Sequence, residues 1–259
     1  MIVLSSGTVV LLACLYRGER GIDTTSERWA RLDARGRVEE VWEMRDLPAA
    51  REVASIVLAT FRAERADDVE SLWRSGAWHW WQAEGEGDPA RRRFELDTAE
   101  LFLSRAVARD ATSAEANYYA ALVAFERARD AGWSPSARET FLEPLRRAFR
   151  VDPGVEGGGP YALLGLYYLD VAQPPDASDR ADRLVRLGRD RRHRSKSSPE
   201  EERLLALNVI VEELRRPRDD EARRRAWDWY FGAAWCGRKA DRSRTEAWLS
   251  ALGLLKPRD

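Results

Sequence analysis

The chain has 259 residues and a formal net charge of −1, with 44% hydrophobic and 34% charged residues. That balance excludes a disordered chain and supplies enough apolar surface for a core beneath strongly charged outer faces. It also excludes a global basic field, so no nucleic-acid partner is expected. Forty of the 43 basic residues are Arg, which reads as codon-composition bias rather than a phosphate-binding signature. Eleven Trp need either many facing helices or a cleft that turns some of them towards a ligand. Two Cys, Cys14 and Cys236, allow one disulfide at most and no cysteine-rich zinc site.

In chain order, residues 1–14 read as a signal segment. Ile2 to Leu15 is apolar and uncharged, yet shorter than the roughly 20 residues that span a bilayer as a helix. It contains Leu11-Leu12-Ala13-Cys14, which resembles a bacterial lipobox. There a signal peptidase cuts after a small residue, here Ala13, and the following Cys is diacylated. Cys14 is therefore the expected lipidation site. An uncleaved apolar anchor and a buried first helix with a core Cys are the alternatives. If Cys14 carries lipid, Cys236 is left without a disulfide partner.

From Glu27 onward the apolar residues recur at helical rather than alternate spacing, and no strand is expected. Punctuation divides the run. Asp46-Leu47-Pro48 starts a helix, Glu84 to Pro89 is a loop, and Ala131-Gly132-Trp133-Ser134-Pro135 ends one helix and caps the next. Val151-Asp152-Pro153 closes a helix, and Gly157-Gly158-Gly159-Pro160 starts another. Gln173-Pro174-Pro175-Asp176 is a turn, and Ser197-Ser198-Pro199 opens a helix over Glu200 to Arg216.

An internal repeat sets the expected fold. Tyr161, Leu164, Gly165 and Tyr168 follow the first-helix pattern of a tetratricopeptide (TPR) repeat, with Ala181, Val185 and Gly188 on the second helix. One unit earlier stand Tyr118, Ala121, Leu122 and Phe125, then Phe141, Leu145 and Ala148. Before them come Trp73, Gly76, Ala77 and Trp80, then Ala99, Leu103 and Ala106. Small residues let paired helices approach, and the large residue a turn away fills the neighbouring groove. Ala106, Ala148 and Gly188 recur about every 40 residues, longer than the standard 34, so the turns are lengthened. A further pair is expected around Val38 to Arg65. The fold class is all-α: a TPR-like helical repeat stack over 27–198, with capping helices over 199–255.

Four stretches resemble one TPR family, the T component of TRAP-type transporter systems. They are Val41-Trp42-Glu43-Met44-Arg45-Asp46, Leu72-Trp73-Arg74 running into Trp80-Trp81, Ser113 to Tyr119, and Val151-Asp152-Pro153 followed by Gly157 to Tyr167. They fall within roughly residues 38–190. The resemblance implies a periplasmic lipoprotein, anchored to the membrane by its lipid, that works with a solute-binding protein or another envelope protein. It further implies a small apolar ligand and homo-oligomers among its associations. The basic segment Arg189 to Ser198 and the Trp-rich Trp227 to Trp248 depart from it. The alternative is an envelope scaffold that mediates protein assembly without a small ligand.

No P-loop, H-E-x-x-H or G-x-S-x-G occurs. The chain is therefore not expected to be an enzyme, and neither cofactor nor metal is expected. His79, in Trp78-His79-Trp80-Trp81, reads as a ligand contact or as a half-buried helix residue. First-helix aromatics line either a groove or the core between repeats. Trp81, Tyr119 and Tyr167 lie off the repeat consensus, so they join His79 as candidate ligand-binding residues. Asn117 suits a helix start better than a peptide-carboxylate clamp. The run Arg180 to Lys196 reads as a solvated face with local ion pairs. Trp227, Trp229, Tyr230, Phe231 and Trp235 are too dense for one helix face and imply burial or an oligomer interface.

Overall fold

The computed structural model describes residues 22, 24–45, 48–84, 86–168 and 180–187, with 182 excepted. Cys14, Cys236, the basic run beyond Leu187, the helix from Ser197 and the Trp-rich segment lie outside the described residues. Among those described, every regular element is a helix: α1 Glu27–Arg31, α2 Ala34–Glu43, α3 Pro48–Glu64, α4 Val69–Glu84, α5 Pro89–Arg109, α6 Ala114–Ala131, α7 Pro135–Val151 and α8 Val155–Tyr167. None is long and apolar enough to cross a membrane.

The boundaries follow from capping chemistry. Ser26, Asp33, Asp88, Ser113 and Ser134 each accept a hydrogen bond from a backbone N–H of the first turn they precede. Pro89 and Pro135 stand in first turns, where a missing N–H costs nothing. Gly132, at φ +87, turns the chain out of α6 in a conformation that other residues rarely adopt. At α5, the Asp88 carboxylate takes Ala90 N–H at 2.8 Å and Arg91 N–H at 3.4 Å. Asp88→Ala is expected to lower stability by about 1 kcal/mol. A urea midpoint that falls with an unchanged slope would show it.

Successive helices pack as pairs: α2 on α3, α4 on α5, and α6 on α7. Each second helix also meets the next first helix, and α6 additionally touches both α4 and α8. The first helices thus form a row, and α6 lies in its middle. Ala181 and Val185 pack on Tyr161 and Ala162 of α8, so the stretch after α8 begins a further layer.

Close approach within a pair depends on small residues. A Cβ at Gly76 would lie 2.4 Å from Leu103 Cγ and 3.1 Å from the Ala99 carbonyl oxygen. Gly76 therefore lets α4 and α5 meet backbone to side chain. Asn117, fully buried, donates from Nδ2 to the carbonyls of Ala111 and Ser113. It fastens the α5–α6 turn. Arg92 bonds the buried Glu126 at 2.8 Å, and the more exposed Arg127 reaches Glu100 at 2.8 Å, joining α5 to α6. The solvated Arg127–Glu100 pair contributes about 0–1 kcal/mol.

Candidate functional site

The row of first helices gathers an aromatic cluster around Tyr119 of α6. Trp73 of α4 stacks on the Tyr119 ring, with centroids 5.8 Å apart and planes 7° from parallel. Trp80 lies 5.8 Å away, tilted, and Trp42 of α2 meets Tyr119 edge-on at 6.1 Å. Trp73 and Trp80 are two helical turns apart, so α4 presents both on one face. Trp80 continues the cluster to Trp81 at 6.4 Å. Tyr119 and Trp81 are 2% exposed, whereas Trp42 and Trp73 are half-buried and form its accessible edge.

Arg45, just past α2, is 1% exposed inside this cluster. Its guanidinium sits between Trp42 and Trp81, 4.4 Å from each ring centroid. A cation over an aromatic face is attracted by the ring quadrupole, more strongly when desolvated. Arg45 Nη1 also donates to the Trp42 carbonyl at 2.8 Å, and the Trp81 indole N–H points to the Arg45 carbonyl at 3.4 Å. Arg45 thereby ties the end of α2 to α4.

Glu156, in the first turn of α8, closes the cluster. Its backbone φ is +50, a left-handed value that is costly for a residue with a Cβ. The residue is partly exposed. Loss of water pushes its pKa above the ordinary carboxylate value. The Tyr119 hydroxyl, donating to the carboxyl, and the charges of Arg45 and Arg74 pull the other way, while Glu115 adds to the rise. Next to it, a Cβ at Gly159 would fall 2.5 Å from Tyr118 Cζ, so only glycine lets α8 approach α6 there.

A shallow indentation opens beside the cluster, walled by Val41, Trp42, Leu58, Trp73 and Trp78, with Arg74 as its charged wall. It is a crease between helices with room for little more than a water-sized group, far smaller than a pocket that encloses a ligand. Arg74 is held by Glu70 at 2.9 Å and Glu39 at 3.3 Å, linking α4 to α2 at the rim.

The sequence-derived candidates are distributed unevenly over this geometry. Trp81 and Tyr119 share the cluster. Tyr167 lies in a second aromatic knot, 5.2 Å from Trp133 and 5.1 Å from Phe141. His79 faces α5 instead, with Nδ1 2.7 Å from Glu95 Oε2 and its ring stacked on Phe102 at 5.7 Å. Packing takes up all three off-consensus rings, because a first helix is covered by its own partner and by neighbouring units as well. The rings that keep an open edge are Trp42 and Trp73.

Arg45 and Glu156 were not singled out as site residues from the sequence. The three-residue step from Trp42 to Arg45 is the one local signal for the cation–aromatic contact. For Glu156 the adjacent glycine run marks a tight approach to Tyr118 without revealing the groups around the carboxyl. Among the described residues, no group of three or more His, Cys, Asp or Glu is placed to hold a metal ion. No family model, curated protein or solved structure matches the chain.

Proposed function

We propose that this chain is an exported, lipid-anchored TPR-like binding protein, associated with a TRAP-type transporter, that receives an apolar or aromatic group of a small ligand at the Trp42–Trp73 edge. One observation carries the reading. The four stretches that resemble the T component meet around Tyr118 and Tyr119: Trp42 from the first and Trp73 and Trp80 from the second lie against Tyr119, both tyrosines come from the third, and Gly159 from the fourth lies against Tyr118. The pairing of helices and the row of first helices support a TPR-like superhelix. Binding requires no covalent chemistry, cofactor or metal, and the chain is not an enzyme in this reading. Cys14 supplies the anchor in the periplasm, and a solute-binding protein is the partner.

The ligand half is tested by titrating the protein with N-phenyl-1-naphthylamine, whose fluorescence rises in apolar surroundings. Saturable binding is expected, weakened about tenfold in Trp73→Ala, as loss of one stacked ring worth about 1.4 kcal/mol would give. Absence of saturable binding, or equal binding by the variant, would count against it. The anchor half is tested by palmitate labelling, which is expected to disappear in Cys14→Ser.

A second reading, an envelope scaffold without a small ligand, rests on α5. Phe94 and Leu101 are 64% and 58% exposed and two turns apart on one helix face. Cross-linking through this face to an envelope protein, with no uptake of the fluorescent probe, would favour the scaffold.

A further inference from the structure

Ile56 of α3, 68% exposed, and Phe94 and Leu101 of α5 are the three most exposed large apolar side chains among the described residues. Apolar residues exposed singly are ordinary, but these stand on two adjoining helices. Arg62 of α3 lies over the Phe102 ring of α5 at 5.0 Å, and Asp67, just past α3, bonds Arg105 at 2.5 Å. Later residues of one helix thus meet later residues of the other, so α3 and α5 run side by side in the same direction. Arg62 stands about 120° round α3 from Ile56 in one sense, and Phe102 about 100° round α5 from Leu101 in the other. Ile56 and Leu101 therefore face outward on the same side of the helix pair. The opposite faces are buried in the stack, through Phe61 on α3 and Leu103 on α5.

The unengaged charges on this surface are opposite in sign on the two helices. Exposed Glu52 and Glu64 lie four and eight residues from Ile56, and exposed Arg93 and Arg109 each lie eight from Leu101. Such steps return to within about 80° of the starting face. None of the four holds an ion pair among the described residues. The other charges there are engaged: Arg105 by Asp67, and Asp97 and Glu100 by Arg127. One apolar strip is thus edged with acid and its neighbour with base.

We propose that this surface pairs with a second copy of the chain across a two-fold axis, α3 of each protomer lying on α5 of the other. An axis perpendicular to the surface makes the contact isologous and sets the paired helices antiparallel. Glu52 and Glu64 are 12 residues apart, about 18 Å, and Arg93 and Arg109 are 16 apart, about 24 Å. With the two spans centred, Glu52 falls within about 3 Å of Arg109 along the axis, and Glu64 equally close to Arg93. Leu101 then comes level with Ile56, and Phe94 with the small, exposed Ala63. Two helices about 25 Å long and about 10 Å apart offer roughly 500 Å² per protomer. The total, about 1,000 Å², is at the low end for a specific interface, so the dimer depends on concentration. Nothing in this pairing depends on what binds at the Trp42–Trp73 edge, and it gives the α5 face to a second copy rather than to an envelope protein.

The test is sedimentation velocity on the full chain carrying Cys14→Ser, with reductant present, so that neither lipid nor Cys236 joins copies. A monomer–dimer equilibrium is expected, with a dissociation constant on the order of 10–100 μM. Glu52→Arg/Glu64→Arg sets like charges opposite each other and is expected to weaken it about tenfold or more. Adding Arg93→Glu/Arg109→Glu to that variant reverses both edges at unchanged net charge. Association is then expected to return to within about threefold of the starting value. Phe94→Gln/Leu101→Gln is expected to leave the chain monomeric. All these side chains are exposed, so helix content by circular dichroism is expected to stay unchanged. A monomer up to about 500 μM, a dimer indifferent to the Glu or the apolar substitutions, no recovery in the four-site variant, or growth beyond a dimer would each overturn the pairing.

Discussion

Replacing Trp81 with alanine is expected to lower the unfolding free energy by about 3–5 kcal/mol. The ring is 2% exposed and packs against Trp80. It also forms one wall of the slot that holds the Arg45 guanidinium, 4.4 Å away. Truncation therefore combines two effects. It opens a cavity that the crowded first-helix row cannot readily close, and it leaves a buried cation with one aromatic face instead of two. Trp73→Ala, at the half-buried edge of the same cluster, is expected to lose clearly less, because water can enter the space left behind. Urea denaturation followed by far-UV circular dichroism separates the two. Comparable losses would mean that Arg45 and Trp81 do not act together as described. The α2–α3 pair meets α4 across this cluster, so a broadened Trp81→Ala transition would further indicate uncoupling of that pair from α4.

These residues show how much of the fold and the site was legible in the sequence. Helix ends at Glu84, Ala131 and Val151 follow local punctuation, since Asp88-Pro89, Gly132 and Asp152-Pro153 act within a turn of their own positions. Pairing was legible for a similar reason: Gly76, Ala77, Ala99 and Ala106 mark where two adjacent helices touch. The region around Tyr119 was legible as four separate stretches but not as one place. Trp42 and Tyr119 meet through stacking of successive units, which no local spacing encodes. Glu156 was the least visible. Beside Asp152 and Gly154 it reads as a loop acid, and the groups that act on its carboxyl, Tyr119 and Arg45, are remote in sequence. The candidacy of Trp81, Tyr119 and Tyr167 rested on their departure from the consensus, and that of His79 on its place among Trp78, Trp80 and Trp81. A consensus describes contacts shared by all units, and it says nothing about rings that fill the gap between two particular ones.

The α4–α5 interface leads to a second large effect, in which two damaging substitutions should partly compensate. Leu103 is 1% exposed, and its Cγ and Cδ2 occupy the space beside Gly76. Leu103→Ala is expected to cost about 2–5 kcal/mol through lost burial and a residual cavity. Gly76→Ala places a methyl group 2.4 Å from Leu103 Cγ and 2.9 Å from its Cδ2. Real side chains do not approach so closely, so Leu103 must leave its rotamer or the helices must part. The expected cost is about 1–3 kcal/mol, reduced by the roughly 1 kcal/mol by which Ala exceeds Gly in a helix interior. In Gly76→Ala/Leu103→Ala the clashing atoms are gone and the new methyl enters the cavity. The double variant is therefore expected to be more stable than the sum of the single losses by about 1 kcal/mol or more. Compensation should stay incomplete, because the Ala99 carbonyl oxygen still lies 3.1 Å from the added methyl. Strict additivity in a urea-denaturation cycle would mean that Gly76 and Leu103 do not share one space, and that glycine at this position serves something other than close approach of the paired helices.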